Sequence, residues 1–207
     1  SKTPLPDRLQ DYNFLHRHAG EDIFQADFLQ QINSERPLEV LRESYNRPEQ
    51  ASTLNRMLYM DWKTTLHDND LVKVNKMCEM AGVKVRYPIL SQEIIELSCQ
   101  IPSSEKLQAK ELRKFYKHAM VGFLPDKIIN KPKHGFGLPF GVWLKEHQRL
   151  KELAYDSINS LKKRSYFNAS FLDHTIKMHQ SVHAAYYGEL IWVLMMLELW
   201  FQGKTDR

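Results

Sequence analysis

Apolar positions along this chain recur mostly at intervals of three and four. Between Glu21 and Ile32, the residues Ile23, Phe24, Phe28, Leu29 and Ile32 fall on one helical face. Pro37 and Pro48 follow, each suited to the first turn of a helix. From Pro48 onward, Leu54, Met57, Leu58, Trp62 and Leu66 keep the same step. Asp70 is placed to cap or open the next helix, which runs to about Met80 and stops at Gly82. The stretch from Val83 to Pro88 reads as extended and is ended by its proline. Ser91 caps a helix carrying Ile94, Ile95 and Leu97, whose start Glu93 and Glu96 complete.

The second half continues the pattern. Pro102 to Ala109 reads as a loop and Lys110 to Phe123 as a helix, followed by Pro125. Asn130 to Gly141 is the one long irregular segment, with Pro132, Pro139, Gly135, Gly137 and Gly141. Helices resume at Val142 and continue to Gln202, with breaks near Asn159 and Asn168. No alternating run is long enough for a sheet strand, and no internal repeat or low-complexity tract occurs. The expected fold class is mainly α-helical.

Composition narrows the function classes. The 207 residues suit one domain or a large piece of one, and 43% apolar content is enough for a core. A net charge of +4 is compatible with a phosphate-bearing ligand, but no basic stripe interleaved with aromatics argues for nucleic acid. The longest apolar run, Leu190 to Leu197, lies between Glu189 and Glu198 and is far shorter than the roughly 20 residues that span a bilayer. It reads as a buried helix. The start, Ser1 to Pro4, has no apolar signal core. Cys78 and Cys99 stand alone among apolar residues and read as reduced, buried thiols. These features predict a soluble, cytoplasmic protein.

Three constellations could carry chemistry. In the irregular segment, Lys131, Lys133 and His134 precede three glycines. Glycine lets a backbone approach a ligand closely, and lysine supplies a mobile charge for phosphate oxygens; the same residues also suit a solvated turn. Around Asp70, Asp68 and Asp70 precede a helix that carries Lys73 and Asn75. A carboxylate there could act as a base or orient a metal-bound phosphate, or simply complement the helix dipole. His174, His179 and His183 form the third set. The last two are one helical turn apart, but no glutamate completes a zinc-protease motif, so no metal site is assigned. The aromatic C-terminus, with Tyr186, Tyr187, Trp192, Trp200 and Phe201, reads as core.

Taken in order, four segments resemble the asparagine synthase family. Asp70 to Met77 is similar to that family's acidic residue, leucine, basic residue and Asp/Asn-Arg/Lys pair. Gly82 to Ser91 resembles its Gly-Leu-Glu-Val-Arg-Val-Pro-Phe-Leu-Asp signature, Leu112 to Pro125 its helix running into Leu-Pro, and Asn130 to Pro139 its Asn-Arg-x-Lys-x-Gly-Phe-x-x-Pro loop. The order and spacing match from Thr53 to about Trp143. Three positions depart: Lys84 stands where the family usually has glutamate, Ser91 where it has aspartate, and Lys117 where arginine is common.

The resemblance implies the C-terminal helical half of an α/β adenine-nucleotide hydrolase-like (ATP pyrophosphatase) synthetase domain. Residues 1–50 would be lead-in helices, 51–145 would carry the family motifs, and 146–207 would form C-terminal helices. It implies ATP-dependent adenylation of a carboxylate, then amide formation with glutamine-derived ammonia. Lys133 matches the family's pyrophosphate-binding catalytic lysine, Asp70 an acidic residue beside the acyl-adenylate, and Lys73 a basic residue near the nucleotide. ATP and Mg2+ belong to the complete enzyme, and aspartate or another carboxylate is the substrate. No two glycines are adjacent in this chain, so the family's Ser-Gly-Gly-x-Asp-Ser phosphate loop and its second glycine-pair segment are not within it. The chain alone is therefore expected to be inactive and to bind no cofactor, with the phosphate-loop and glutaminase domains as upstream partners. Such a piece would expose apolar surface, which makes a homo-oligomer the expectation. Two alternatives stay open: a stand-alone helical binding or structural module, and an amidotransferase acting on a glycan, a peptide or another acceptor.

Overall fold

The computed structural model describes residues 2–13, 15–107, 111–132, 137–181 and 184–204. The α-helices, in chain order, are α1 (Gly20–Ile23), α2 (Ala26–Leu29), α3 (Arg36–Asn46), α4 (Thr53–Asp61), α5 (Val72–Met80), α6 (Gln92–Gln100), α7 (Ser103–Lys106), α8 (Lys114–Ala119), α9 (Asp126–Ile129), α10 (Phe140–Glu146), α11 (Gln148–Leu161), α12 (Ala169–Ser181) and α13 (Ala184–Lys204). The protein is mainly α-helical as expected. Among the described residues an isolated antiparallel bridge pairs Phe24 with Phe167. Two compact units form, one from residues 1–37 and 135–207, the other from 38–134.

The first unit has a dense core built around α13. This helix carries apolar residues on several faces, and α10, α11 and α12 all pack on it. Leu144, Ile158, Leu161, Leu172, Leu190, Ile191, Leu194 and Met195 are buried, with Tyr187, Trp192 and Phe201 packed against them. The aromatic C-terminus is thus largely core, although Trp200 stays 54% exposed. Glu198, at the end of the apolar run, is 1% exposed. Burial of its charge is offset by Arg164, whose Nε and Nη2 donate to the carboxylate at 2.5 and 3.0 Å, and by Gln202 Nε2 at 3.0 Å.

The start of the chain docks onto this bundle, and the docking overrides a local pattern. Glu21 to Ile32 is not one helix. It breaks at Phe24 and Gln25, between α1 and α2. The backbone there is drawn to the segment before α12. Gln25 N–H donates to the Tyr166 carbonyl at 3.0 Å, and Asn168 N–H to the Ile23 carbonyl at 2.8 Å. Asn168 Nδ2 also approaches the carbonyls of Glu21, Asp22 and Phe24 at 2.6, 3.1 and 3.0 Å. Phe24, Phe28, Tyr166 and Phe167 pack in tilted and edge-on contacts around the junction. Tertiary hydrogen bonds and ring packing outweigh one turn of helix propensity.

The second unit is helical but thinly packed. Tyr45 and Met60 are its buried apolar residues among those described, whereas Met80, Phe123, Ile89 and Val121 are 81, 80, 68 and 68% exposed. Pro48 does not open a helix. It lies in a loop wrapped around Arg56, whose guanidinium donates to the carbonyls of Glu49 (2.6 Å) and Ala51 (3.2 Å) and lies over the Tyr45 ring. Helix α4 instead begins after Ser52, whose Oγ accepts from Asn55 N–H. The thiols also differ from expectation. Cys78 is half-buried and Cys99 exposed, because Cys99 faces an open groove with Pro48, Leu58 and Trp62 rather than a core.

Further along, Ser103 to Lys106 forms a short helix where a loop was expected. The helix expected over Lys110 to Phe123 contracts to α8, with Arg113 in a left-handed conformation at its start. Val83 to Tyr87 carries no helix or strand, and Pro88 opens a 3-10 turn. Helix α11 runs unbroken through Asn159, and the break falls at Lys162 to Asn168.

Candidate functional site

Asp70 does not open a helix. From Thr53 to Met80 the chain is one continuous helical rod, with a π-helical segment, Trp62–Leu71, between α4 and α5. No proline or glycine occurs between Thr53 and Met80 to end it. Thr64 Oγ1 donates to the Met60 carbonyl at 2.9 Å, which competes with the ordinary i→i−4 bond and suits the wider π register. At its C-terminus the rod ends as the sequence predicts. Gly82 takes φ +66°, its N–H donates to the Glu79 carbonyl, and the Val83 N–H reaches back to Cys78 O at 2.9 Å.

This rod brings Asp70 and Lys73 together. Lys73 Nζ lies 2.9 Å from Asp70 Oδ1, three residues along one face, and both side chains are half-exposed or more. His67 Nδ1 stands 2.6 Å from Asp68 Oδ1 beside them. Asn75 accepts from the Tyr87 hydroxyl at 2.9 Å, which ties the Val83–Tyr87 stretch back to α5. Sequence reading missed that tyrosine. Its signal is only its position between Arg86 and Pro88 in the second family-like segment.

The departure at Ser91 has a physical account. Ser91 is the N-cap of α6, and its Oγ accepts from Ile94 N–H at 3.5 Å. Serine and aspartate are near-equal N-caps, so the exchange keeps the helix start. The Glu93 carboxyl is held below its usual range by its own backbone N–H and by the Ser91 hydroxyl. Lys84 and Arg86 are both exposed.

Lys133, together with His134, Gly135 and Phe136, lies outside the described residues. Just before it, residues from Glu111 to Pro132 enclose a cavity of about 520 Å³ lined by Arg113, Lys114, Lys117 and Lys131. Lys117 was noted from sequence only as a departure, and Arg113 gave no signal.

Gly141, read as part of the glycine-rich loop, belongs instead to α10 and to the core of the first unit. A Cβ on Gly188 of α13 would stand 2.2 Å from Gly141 Cα, so the two helices cross in backbone contact. His179 seals the crossing. Its Nε2 lies 3.3 Å from the Gly141 carbonyl, which can only accept, so Nε2 carries the proton and Nδ1 accepts from Tyr155 O–H at 3.0 Å. Both ring nitrogens are thereby used within the fold. His174 packs its ring against Tyr187, and His183 lies outside the described residues. Among the described residues, no three His, Cys, Asp or Glu side chains converge to hold a metal ion.

Burial holds the His179 pKa below 6.5, and the Lys145 and Lys151 charges add to this against the opposing Gly141 carbonyl. The unfolded chain therefore binds the proton first. The contribution of His179 to stability is complete above about pH 6.5 and is lost as pH drops below it. His179→Gln should remove that part of the slope, read as the urea midpoint between pH 7.5 and 5. An unchanged slope would separate His179 from the acid sensitivity.

The family model described as asparagine synthase matches residues 2–202. Asparagine synthetase (glutamine-hydrolysing) 1 of Bacillus subtilis is 22% identical over 169 residues, covering 82% of this chain and 26% of that protein. A provisionally named asparagine synthetase (glutamine-hydrolysing) from Mycobacterium bovis, and its counterpart in Mycobacterium tuberculosis, are 21% identical over 211 residues, covering 95% of this chain and 32% of theirs. The chain thus spans between a quarter and a third of the length of these relatives. No solved structure gives a significant match. No helix among the described residues is long and apolar enough to cross a membrane. A family match that runs through nearly every described element, from the docked N-terminal segment to α13, places this chain in the asparagine synthase family.

Proposed function

We propose that this chain is the C-terminal helical part of an ATP-dependent amidotransferase, cytoplasmic, that activates a carboxylate and converts it to an amide. The family match over residues 2–202 carries this reading. A carboxylate oxygen attacks the α-phosphorus of ATP, the α–β phosphoanhydride bond breaks, and pyrophosphate leaves. Ammonia then attacks the acyl carbon, AMP departs, and the nitrogen loses a proton. The relatives are named for asparagine synthesis, and this reading takes aspartate as the carboxylate. In this reading Lys133 offsets charge growing on pyrophosphate, and Asp70, oriented by Lys73, handles the proton released from ammonia. In this reading Mg2+ would arrive with ATP.

The phosphate-binding loop and the glutaminase domain would lie upstream in the same polypeptide. A second reading, a helical binding module without catalysis of its own, is favoured by one observation. Asp70 and Lys73 satisfy each other at an exposed surface, as an ordinary i,i+3 pair does. The deciding experiment measures AMP and pyrophosphate release by the complete polypeptide with ATP, aspartate and ammonia. The expected result is release that depends on both aspartate and ammonia, and none by the 207-residue chain alone. Absence of carboxylate-dependent release across aspartate and other carboxylate acceptors would favour the binding module. Release by the chain alone would overturn the assignment of ATP binding to upstream elements.

A further inference from the structure

One face of α13 stays outside the core of the first unit. Leu190, Ile191, Leu194, Met195 and Glu198 are buried in that core. Interleaved with them, Val193, Met196 and Trp200 are 55, 48 and 54% exposed. Glu189 and Lys204 are exposed as well. Together these five recur at steps of four, three, four and four, which sets their side chains in one stripe along α13. The middle of the stripe is apolar, its N-terminal end anionic and its C-terminal end cationic. Among the described residues neither Glu189 nor Lys204 takes part in an ion pair.

The order of these residues is self-complementary. A two-fold interface between identical chains pairs residue i with residue j and j with i. When a second α13 lies antiparallel, with the axis between Met196 and Leu197, Val193 faces the partner's Trp200 and Glu189 faces the partner's Lys204. A small side chain then meets a large one twice, and two opposite-charge pairs close the ends. Met196 meets its own counterpart at the axis, where an unbranched thioether adapts to the gap. Parallel pairing loses this match, because Glu189 would face the partner's Glu189 and Lys204 the partner's Lys204. The spacing suits a shallow helix crossing of about 20°, which keeps both ends within reach of a lysine and a glutamate.

We propose that α13 is a homodimer surface, on which a second copy of this chain docks antiparallel through Glu189, Val193, Met196, Trp200 and Lys204. The match of opposite charges, and of small against large side chains, under one two-fold axis carries this assignment. An interface confined to one helix face belongs to the small, transient class. The proposal does not depend on the amidotransferase reading, and its test needs no turnover.

Sedimentation equilibrium of the purified 207-residue chain should show a monomer–dimer equilibrium with a Kd on the order of 10–100 μM. Met196→Glu places two carboxylates face to face at the axis and should weaken the dimer by at least about thirtyfold. Its melting temperature under dilute, monomeric conditions should match the parent's, since glutamate and methionine have similar helix propensities and Met196 lies on the exposed face. Glu189→Lys and Lys204→Glu each set like charges opposite one another and should weaken the dimer about fivefold, while the double reversal restores it. Orientation is read by cysteine cross-linking, measured above the background from Cys78 and Cys99. Glu189→Cys mixed with Lys204→Cys should give a disulfide-linked pair. Neither should link to itself, because each lies roughly 22 Å along the helix from its own counterpart. A chain that stays monomeric up to roughly 300 μM would overturn the proposal and leave this face to another segment of the complete polypeptide. A dimer that Met196→Glu leaves intact would place the interface elsewhere, and a double reversal no tighter than the single ones would remove this register. Self-linking of Glu189→Cys would mark a parallel packing. Any of these three results overturns the proposal as well.

Discussion

Gly188→Ala should lower the melting temperature of the chain by roughly 5–15 °C. The added Cβ would stand 2.2 Å from Gly141 Cα and 2.7 Å from Gly141 N. Both are backbone atoms, so no side-chain rotation relieves the overlap and α10 and α13 must separate. Separation opens a core in which Leu144, Leu190, Ile191 and Leu194 are at most 3% exposed. It also stretches the His179–Gly141 bond, already 3.3 Å, and leaves a buried imidazole N–H underused. Alanine gains about 1 kcal/mol over glycine in a helix interior, while overpacking against backbone costs about 3 kcal/mol or more, so the net effect is destabilising. Gly203→Ala, in the same helix with no atom within 4 Å of its new Cβ, isolates the helix term and should be neutral or mildly stabilising. Thermal unfolding of the two variants checks the pair. If both shift alike, the helix crossing is not the close contact described.

Local signals and tertiary demands divide what could be read from the sequence. Ser91 capping α6 and Gly82 ending α5 were legible because each depends on a few neighbouring backbone groups. The apolar run Leu190 to Leu197 was legible as a mostly buried helix, although Val193 and Met196 stay exposed. The break at Phe24 was not, since its cause is Asn168, 144 residues away, whose amide gathers three carbonyls. The continuity through Asp70 was missed for the opposite reason. Asp and Asn suit helix starts, but they do not end a helix that no proline or glycine interrupts. Gly141 showed how composition misleads: a glycine among loop residues serves helix contact rather than ligand approach. In the candidate site, the Asp70–Lys73 pair follows from i,i+3 spacing alone. The grouping of Arg113, Lys117 and Lys131 does not, because it requires a left-handed turn at Arg113 and closure of the segment after Pro125.

Replacing Lys133 by alanine in the complete polypeptide should slow aspartate-dependent pyrophosphate release by about 10²–10³-fold. As the α–β phosphoanhydride bond breaks, negative charge accumulates on the departing pyrophosphate. A preplaced ammonium compensates that charge without waiting for solvent to reorganise. The interaction strengthens in the transition state, so kcat and kcat/KM should fall together while KM for aspartate changes little. Lys133→Arg should recover only part of the rate, since a planar fork does not replace a compact, mobile ammonium. Lys127→Ala, six residues earlier, supplies the comparison for a charge change alone and should retain near-parent rates. The melting temperature should stay unchanged in all three, because replacing a lysine at 127 or 133 removes no apolar core side chain. A Lys133→Ala rate within about twofold of the parent would remove this lysine from the chemistry.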